Sequence, residues 1–436
     1  MEVVHPYCAG LDVHKKSVVA CALSVSPSGR KVKQTETFGT TTVELLRLSD
    51  WLTGQACIQV ALESTGEFWK PVWNILESSF ELWLVNAQHI KRVPGRKTDV
   101  QDAEWLADLL QHGLVKASFI PPVEQRDRRD LTRQRTQLVR ERSSVINRLQ
   151  KVMEGANLKL SSVVSDVTGV SSRAILAEIL HGELDPADLE HLVRGRVREK
   201  LPALREALSG RVRAHHRFVL AHHLAHLDFL DEEIAAYSEE IERLTEPHEE
   251  LVTLLDTIPG VARTTAELIL AEVGPDLSRF PSADHLASWA GLAPGNNESA
   301  GKRLSGKMRK GSQWLRVGLA QAAQAAARSK NSYLAAHYHR IAGRRGKKRA
   351  IMALAHSILV IAYHIIQRRE PYRELGHDYF DERKRVTTAN RLARRLERLD
   401  RGVHRALAGE HQDRHVVAGA PQRRDELDAR PLGEVE

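Results

Sequence analysis

Four carboxylates in the N-terminal third stand where predicted strands and a predicted helix would bring them together. Asp12 lies near the end of the first strand-like run, Glu63 ends a later one, and Asp99 and Asp102 open a helix. Oxygen ligands suit Mg²⁺, and two such ions about 4 Å apart can stabilise the attacking and leaving oxygens of phosphodiester cleavage. The four acids together therefore predict a magnesium site for phosphoryl chemistry.

Each acid also has an ordinary explanation. Asp12 can be a turn residue, Glu63 a solvated acid at the sheet rim, and the two aspartates can simply complement the helix dipole. His14 shares a face with Asp12 on an extended strand, where it either tunes the site or is a surface residue. The joint placement of all four acids is what favours the metal site.

The stretch "GRKTDVQDAEWLADLL" predicts the helix that carries two of these acids. Thr98 and Gln101 fit a capping box, so the helix should begin at Asp99. Its buried face is predicted from four apolar residues at helical spacing: Ala103, Leu106, Ala107 and Leu110. Asp99 and Asp102 extend that face, and buried carboxylates cost free energy unless a cation or a basic group neutralises them.

The element order predicts the fold that positions the acids. Two strands within residues 7–25 and a third at 31–40 form an antiparallel meander; a helix at 42–52, a strand at 58–65, a helix at 67–76 and a strand at 81–85 precede the acidic helix. This βββαβαβα order is that of the RNase H-like fold, an α/β arrangement in which the strands of Asp12 and Glu63 lie side by side. Active sites of open α/β sheets favour such strand ends.

Composition points to an anionic partner. The 436 residues suffice for about three domains, and 64 lysines and arginines against 56 acids give a net charge of +8, which favours nucleic acid as partner. Three cysteines without metal-ligand spacing indicate reduced core thiols and a cytosolic protein. With no leader-like segment and no uninterrupted apolar run of about 18 residues, we expect no membrane partner.

The middle of the chain reads as a basic helix pair. Leucine and valine recur every seven residues at Leu131, Leu138, Val145 and Val152, and residues 227–244 have the spacing of a partner helix. The many arginines of the first helix either track a phosphate backbone or form a solvated face. We predict four segments: a catalytic α/β domain at 1–122, long helices with a helical insertion at 123–249, a mostly α domain at 250–370, and a charged, partly disordered tail at 371–436.

The mostly α segment contains a hinged helix pair and a serine. Pro259 and Gly260 separate two apolar helices, as in a helix-hairpin-helix DNA-binding unit or an ordinary αα-turn. Ser299 lies in a polar loop, followed by five cations predicted to bind nucleic acid: Lys302, Arg303, Lys307, Arg309 and Lys310. Because no histidine or aspartate partner is visible, the residues alone leave Ser299 as a loop residue unless a metal activates it.

Six motifs in order, "GLDVHK", "ALESTG", "GRKTDVQDAEWLADLL", "IPGV", "WAGLAPGNNESAGK" and "RKGSQWLR", resemble the insertion-sequence transposases of the IS110 family, relatives of the Piv DNA invertases, over residues 3–370. The resemblance implies a RuvC-like domain whose DEDD acids are Asp12, Glu63, Asp99 and Asp102, and a transposase domain whose nucleophile is Ser299. In the family pattern a glycine follows the serine directly. Here Ala300 intervenes, so Ser305 is an alternative nucleophile.

The resemblance further implies double-stranded DNA at the element ends and target, a structured guide RNA and a homo-oligomer, either dimer or tetramer, acting on the nucleoid in a bacterial cytoplasm. Our leading hypothesis is a Mg²⁺-dependent transposase or recombinase. One alternative is a RuvC-like nuclease in which water attacks and Ser299 positions a phosphate. Another is an inactive, nucleic-acid-binding derivative of a transposase.

Overall fold

The computed structural model of the chain describes residues 2–25, 30–63, 66–86, 99–182, 184–295, 297–299, 302–305, 308, 310–383, 385 and 389–400. Two units are distinguished by their internal contacts: residues 1–123 and residues 124–436. The first unit is mixed α/β and the second is mostly helical, as the sequence predicts.

Apolar strands build the six-stranded sheet of the first unit. In spatial order β3-β2-β1-β4-β5-β6, the first three strands in sequence pair antiparallel, β4 is parallel to β1, and β5 is parallel to β4. The predicted meander and the parallel strands are therefore confirmed. The short edge strand β6, antiparallel to β5, was not predicted. The strands are β1 Cys8–Val13, β2 Ser17–Val25, β3 Lys31–Gly39, β4 Gln59–Glu63, β5 Glu81–Val85 and β6 Ala117–Ser118.

Helices cover both faces of this sheet. One core packs strand residues such as Leu11 and Leu62 against α1 (Thr42–Gly54) and α2 (Trp69–Leu76). A second core packs the opposite face against α3 (Asp99–Gln111). The central strands are apolar on both faces because both are covered, which is why they do not show simple alternation.

Helices dominate the second unit. They are α4 Val123–Gly155, α5 Leu160–Val163, α6 Val170–His181, α7 Leu201–Ala207, α8 Ala214–Thr245, α9 Glu249–Asp256, α10 Arg263–Val273, α11 Ala283–Trp289, α12 Gln313–Ala326, α13 Tyr333–Arg345, α14 Lys347–Arg368 and α15 Tyr379–Glu382, with 3₁₀ turns at Gly195–Lys200 and Glu246–His248 and a hairpin of β7 (Asn297–Ser299) and β8 (Lys302–Ser305).

The two long helices α4 and α8 pack antiparallel within this chain. Arg142 pairs with Asp231, whereas Arg128, nearer the start of α4, donates to the carbonyl of Leu244 at 3.4 Å near the end of α8. The C-terminal half of α4 buries Leu138, Val145 and other apolar side chains against α8 and the helical insertion. The predicted partner helix is thus confirmed, and the pairing is intramolecular.

The seven-residue pattern is wrong for the first half of α4. Leu131 is only half-buried, while the buried residues there are Gln125, Arg128, Thr132 and Arg135. These side chains are polar because they meet carbonyls and carboxylates instead of an apolar face. A search for apolar heptads cannot detect such a seam.

A fourth core unites α9 to α14. Helix α14 is 22 residues long and apolar enough, by length and composition alone, to cross a membrane. Nine of its residues are buried, and eight of them belong to this core, among them Leu354, Ile358 and Ile366. Beyond it, Phe380 of α15 stacks on Tyr333 with ring centroids 5.1 Å apart. Residues 389–400 are helical and exposed, and the predicted disordered end lies outside the described residues.

Candidate functional site

Asp12 and Glu63 are in register on neighbouring strands. Leu11 of β1 pairs with Leu62 of β4 in parallel, so Asp12 and Glu63 occupy the next positions along the two strands. Residues at matching positions of parallel strands point to the same face of a sheet. Both acids are half-buried.

Helix α3 covers the face on which these two acids lie. A Cβ added to Gly10 would come within 2.4 Å of the Ala103 carbonyl oxygen and 2.5 Å of the Ala107 nitrogen, so only glycine lets the helix backbone approach the strand this closely. Asp12 is two residues beyond Gly10 on β1 and therefore shares this face. The position of Gly10 thus places the backbone of α3 directly over β1.

The direction of α3 brings its acidic end toward Asp12. The Val4 backbone N–H donates to the Gln111 carbonyl at 2.8 Å, at the end of α3, and the Cys8 thiol is 3.7 Å from the Ala107 carbonyl. The strand β1 and the helix α3 therefore run in opposite directions, and the C-terminal end of β1, with Asp12, lies toward the first turn of α3. That turn carries Asp99 and Asp102. As predicted, the helix begins at Asp99.

Burial on α3 follows the predicted stripe. Four apolar residues are between 0% and 2% exposed: Ala103, Leu106, Ala107 and Leu110. Asp102 precedes this stripe and is half-buried, while the side chain of Asp99 and the Thr98 cap lie outside what the structure describes. The first unit thus brings Asp12, Glu63 and the start of α3 to one face.

His14 contacts Asp12 directly. Its Nε2 atom is 3.1 Å from Asp12 Oδ2, and the aspartate side chain is 13% exposed whereas the histidine side chain is 45% exposed. The hairpin bond from the His14 backbone N–H to the Ser17 carbonyl at 2.9 Å holds the histidine beside the strand end. Of the two roles considered for His14, the contact favours that of an Asp12 partner over an unengaged surface residue.

Carboxylate oxygens are the donor type that Mg²⁺ prefers, so the chemistry of the predicted ligands fits this ion. Among the side chains that the structure describes, no three histidine, cysteine, aspartate or glutamate residues lie close enough together to hold a metal. The Asp99 side chain lies outside the described ones. The assignment of the four acids as ligands therefore stays a prediction.

The three cysteines are buried and free, as predicted. Burial raises the pKa of Cys8 to about 12 and that of Cys57 to about 12, and burial likewise raises the pKa of Cys21. A thiol must ionise to be a nucleophile or a metal ligand. These cysteines therefore act as small core residues beneath α3 and α1.

In the second unit, Ser299 lies on a β-hairpin and not in an irregular loop. It ends β7, opposite Lys302 at the start of β8, and Asn297 pairs with Ser305 at the other end. Strands of only three and four residues give no clear alternation of polar and apolar residues, which explains why the sequence suggested a loop. The side chains of Ser299, Ser305, Lys302 and Arg303 are outside the described ones, as are the residues Lys307 and Arg309, whereas Lys310 is exposed.

The base of this hairpin is held by close packing. A Cβ on Gly311 would lie 2.3 Å from the carbonyl carbon of Ala290, so the chain leaving the hairpin touches the chain entering it. Next to Gly311, the Ser312 hydroxyl caps α12 and donates to Glu272 at 3.0 Å. The described segments before and after the hairpin, at Ala290 and Gly311, therefore pack against each other.

Glu272 is 1% exposed and was not predicted as important. Both of its oxygens accept from Arg133 of α4, at 2.7 and 3.0 Å. Trp314, two residues after Ser312, lies under the Arg133 and Arg140 guanidinium groups, 6.0 and 5.1 Å from the ring centroid. The motif "RKGSQWLR" thus links the hairpin to α4. No spacing rule connects Arg133 with Glu272, 139 residues away.

The hinge at Pro259 and Gly260 is confirmed as the turn between α9 and α10. Gly260 has φ +87°, and a Cβ there would come within 2.3 Å of the Ala322 carbonyl oxygen. The turn therefore packs on the backbone of α12. The helix-hairpin-helix assignment stays a prediction.

Comparison with known proteins identifies the class. A family model described as transposase, of the DEDD type found in IS110 elements, matches residues 9–158, and one described as transposase of the IS116/IS110/IS902 family matches residues 252–339. The two matched ranges contain the acidic face and the serine hairpin. The chain is a DNA transposase or recombinase.

Individual relatives agree with these matches. The chain is 26% identical to the transposase for insertion sequence element IS1111A of Coxiella burnetii over 66% of its length and 72% of the relative's. It is 32% identical to the pilin gene-inverting protein of Moraxella bovis over 29% of its length and 40% of the relative's. A 43.6 kDa protein of insertion element IS110 from Streptomyces coelicolor is 41% identical over 19% of each chain. The chain belongs to the IS110 family of transposases.

Proposed function

We propose that this transposase cuts and rejoins DNA in a Mg²⁺-dependent reaction, with an RNase H-like first unit holding the metal and Ser299 attacking the DNA. The observation that carries the proposal is the shared face of Asp12, Glu63 and the first turn of α3. Three separate segments of the chain contribute acids to it. Asp12 and Glu63 are in register on neighbouring strands, and α3 begins over the same face of the sheet.

Asp12, Glu63, Asp99 and Asp102 are the proposed ligands. Bound Mg²⁺ would stabilise negative charge on the attacking and leaving oxygens of a phosphodiester. The protein's own part is to hold these carboxylates on one face of the sheet, and His14 assists by fixing Asp12. The close contact of Gly10 with α3 keeps the helix at a set distance from the strand ends.

Ser299 is the proposed nucleophile. Its oxygen bonds to a phosphorus and loses its proton, the bond from that phosphorus to one DNA oxygen breaks, and that oxygen gains a proton to become a hydroxyl. A DNA hydroxyl then reverses these changes at the new junction, so the phosphodiester energy is conserved. Lys302, Arg303, Lys307, Arg309 and Lys310 are the proposed phosphate-binding residues near the serine.

The partners follow from the family. A transposase binds DNA, and the relatives' names speak of an insertion sequence and of gene inversion, both of which require cutting and joining of double-stranded DNA. We further propose that an element-encoded structured RNA guides target choice and that the active form is a homo-oligomer, a dimer or a tetramer. We propose that the protein works on bacterial DNA in the cytoplasm.

The first test is a search for a covalent protein-DNA adduct on a denaturing gel, in cells that carry the complete element with its flanking DNA. We expect the unmodified chain to give the adduct, and Ser299→Ala and Asp102→Asn to lose both adduct and excision. Asp108→Asn is the matched control for the acid, because Asp108 lies on the same helix but its side chain is 45% exposed and paired with Lys31 at 3.0 Å. It should retain activity.

Ser305→Ala separates the two candidate serines. If Ser305→Ala abolishes the adduct while Ser299→Ala keeps it, the nucleophile is Ser305. If excision proceeds without an adduct and survives Ser299→Ala, water attacks and the enzyme is a RuvC-like nuclease. If Asp102→Asn changes no DNA rearrangement, the acids have no catalytic role and the chain is a binding derivative.

A further inference from the structure

Residues 194–217 form the most basic segment of the helical insertion, and they lie outside both family matches, which end at residue 158 and resume at residue 252. The segment carries eight cations and two carboxylates, a net charge of +6 out of the +8 of the whole chain. The cations are Arg194, Arg196, Arg198, Lys200, Arg205, Arg211, Arg213 and Arg217. We call the first seven the insertion cations.

All seven insertion cations are exposed, and Arg217 is half-buried. Within the described parts of the chain, none of them has a carboxylate oxygen within 4.0 Å, although the segment's own Glu199 and Glu206 are exposed and Asp185, Asp188 and Glu190 closely precede it. Elsewhere in this unit, cations such as Arg173 and Arg263 are paired with acids. The six arginines among the insertion cations are therefore available to an anionic partner, whereas Lys200 donates to the Val163 carbonyl at 2.7 Å.

The backbone that carries the insertion cations is held in place. The Arg194 N–H donates to the hydroxyl of buried Ser171 at 2.9 Å, and the Arg211 N–H donates to the Ala156 carbonyl at 2.9 Å. A Cβ on Gly210 would come within 2.5 Å of that same carbonyl oxygen, so the chain passes directly over the end of α4. Binding on such a support costs less ordering entropy than binding on a free loop.

Apolar residues anchor the segment from below. Val193, Leu204 and Leu208 are at most 3% exposed in the core that α4 and α8 share. Beside them opens a cleft of about 480 Å³ that Arg211 and Arg217 help to line. Arg217 is fixed there, because its Nε donates to the Ile179 carbonyl at 3.0 Å. Cations thus project from a rigid platform and border a recess.

We propose that the insertion cations bind the phosphate backbone of duplex DNA, as a contact surface additional to the catalytic units. Arginine and lysine heads that are exposed, free of carboxylates and carried on a fixed backbone suit a regular row of phosphates, and this recognition needs no base contacts. The proposal rests on the DNA binding of the family and not on the metal or serine chemistry.

The test measures binding of the full chain to a random duplex of about 30 base pairs by fluorescence anisotropy over a range of salt concentrations. EDTA is present, so the readout does not depend on strand cleavage. Two triple variants remove three charges each: Arg194→Gln, Arg196→Gln and Arg198→Gln in one, and Arg205→Gln, Arg211→Gln and Arg213→Gln in the other.

The matched control also removes three exposed charges, but from arginines that already pair with acids: Arg47→Gln, Arg243→Gln and Arg373→Gln. Each lost phosphate contact reduces the magnitude of the slope of log affinity against log salt by about 0.9. A triple variant should therefore reduce the slope by up to about 2.7 and bind DNA at least about 10-fold more weakly. The control should keep nearly the full slope. Thermal unfolding checks that all variants fold.

Two results would overturn the proposal. An unchanged slope in both triple variants shows that the insertion cations do not contact DNA, and an equal loss in the control shows that only net charge matters. A structured RNA hairpin is measured in parallel. If the triple variants lose RNA binding but keep the slope for duplex DNA, the partner is RNA and the DNA assignment is wrong. Failure of Ser299 or of the acids in the adduct test leaves this measurement intact.

Discussion

Two arginine-rich regions of the second unit use the same residue type in opposite ways. On α4, Arg129, Arg133 and Arg135 contact α10, donating to the carbonyls that end α10 and to the buried carboxylates Glu272 and Glu267. In the insertion, seven cations face solvent and meet no carboxylate within the described residues. The first region holds the protein together and the second is available for a partner.

The difference teaches that basic composition does not by itself locate a nucleic-acid surface. The arginines of α4 were candidates for tracking a phosphate backbone, yet most of those described bind groups of their own chain. Desolvation lowers the pKa of Arg129 to about 10, and this burial is offset by the carbonyls that it meets. What surrounds a cation decides whether it is structural or free.

The largest effect should come from removing Arg133. In Arg133→Met, the buried Glu272 keeps only the Ser312 hydroxyl as a described partner, so its charge is poorly compensated. Breaking a buried pair costs about 3–5 kcal/mol, and because Arg133 is 31% exposed we expect about 3 kcal/mol. Urea unfolding measures this loss.

Arg196→Met is the matched control, since the same substitution there removes an exposed arginine without a carboxylate partner. Its unfolding free energy should stay within about 0.5 kcal/mol. If both variants lose the same stability, the contrast between the two regions does not hold.

Arg129→Met should cost less, about 1–2 kcal/mol. The guanidinium donates to the carbonyls of Ala271 and Glu272 at the end of α10. Without it, Ala271 would keep Gln125 as a donor at 3.0 Å, whereas the Glu272 carbonyl would lose its described side-chain donor. Relief of the desolvation that lowers its pKa returns part of the loss. Hydrogen exchange should show the last turn of α10 opening first, and unchanged protection there would contradict the capping role.

The elements that the sequence predicted well are those with strong local periodicity. The stripe from Ala103 to Leu110 and the meander of the first three strands were both expected, because a single buried face imposes a clear spacing. The shared face of Asp12 and Glu63 followed from the element order. The close approach of α3 to Gly10 could not be predicted, because a glycine in the sequence does not indicate which helix will contact it.

Long-range polar contacts could not be predicted from the sequence. The seam of Arg128, Thr132 and Arg135 has helical spacing but no apolar residue, so a pattern search passes over it. The partners of Arg128 and Arg135 are more than a hundred residues away in sequence. The hairpin of Ser299 was missed for a different reason, since very short charged strands carry no period to detect.

Acid should lower the stability of the protein without weakening DNA binding by the insertion cations. Burial lowers the pKa of His248, which lies near Arg128, and burial likewise lowers the pKa of His337. A folded pKa below the unfolded value of about 6.5 means that the unfolded chain binds more protons, so stability falls as pH drops below about 6.5. Guanidinium groups stay charged throughout, and protonation of His215 or His216 in the same segment would only add positive charge, so DNA binding at the insertion should not weaken between about pH 9 and 6.

Urea unfolding at a series of pH values tests the first half of this prediction, and His248→Gln should flatten part of the decline. Binding of duplex DNA at the same pH values tests the second half. A decline in DNA affinity that parallels the loss of stability would mean that the insertion is held by the same titrating groups. An unfolding free energy that is constant between about pH 5 and 7 would contradict the histidine assignment.

The smallest effect should come from Arg142, which is intermediate between the two regions. It pairs with Asp231 across α4 and α8, with 29% of the arginine side chain and 42% of the aspartate side chain exposed. Exposed pairs contribute about 0.5 kcal/mol, and Arg173 also reaches Asp231 at 3.4 Å and can retain the carboxylate. A double-mutant cycle with Arg142→Gln and Asp231→Asn should therefore give a coupling of about 0.5 kcal/mol that shrinks with salt. A coupling near that of a buried pair would show that exposure does not rank these arginines, because Arg142 would then stabilise the fold as strongly as Arg133 despite remaining in water.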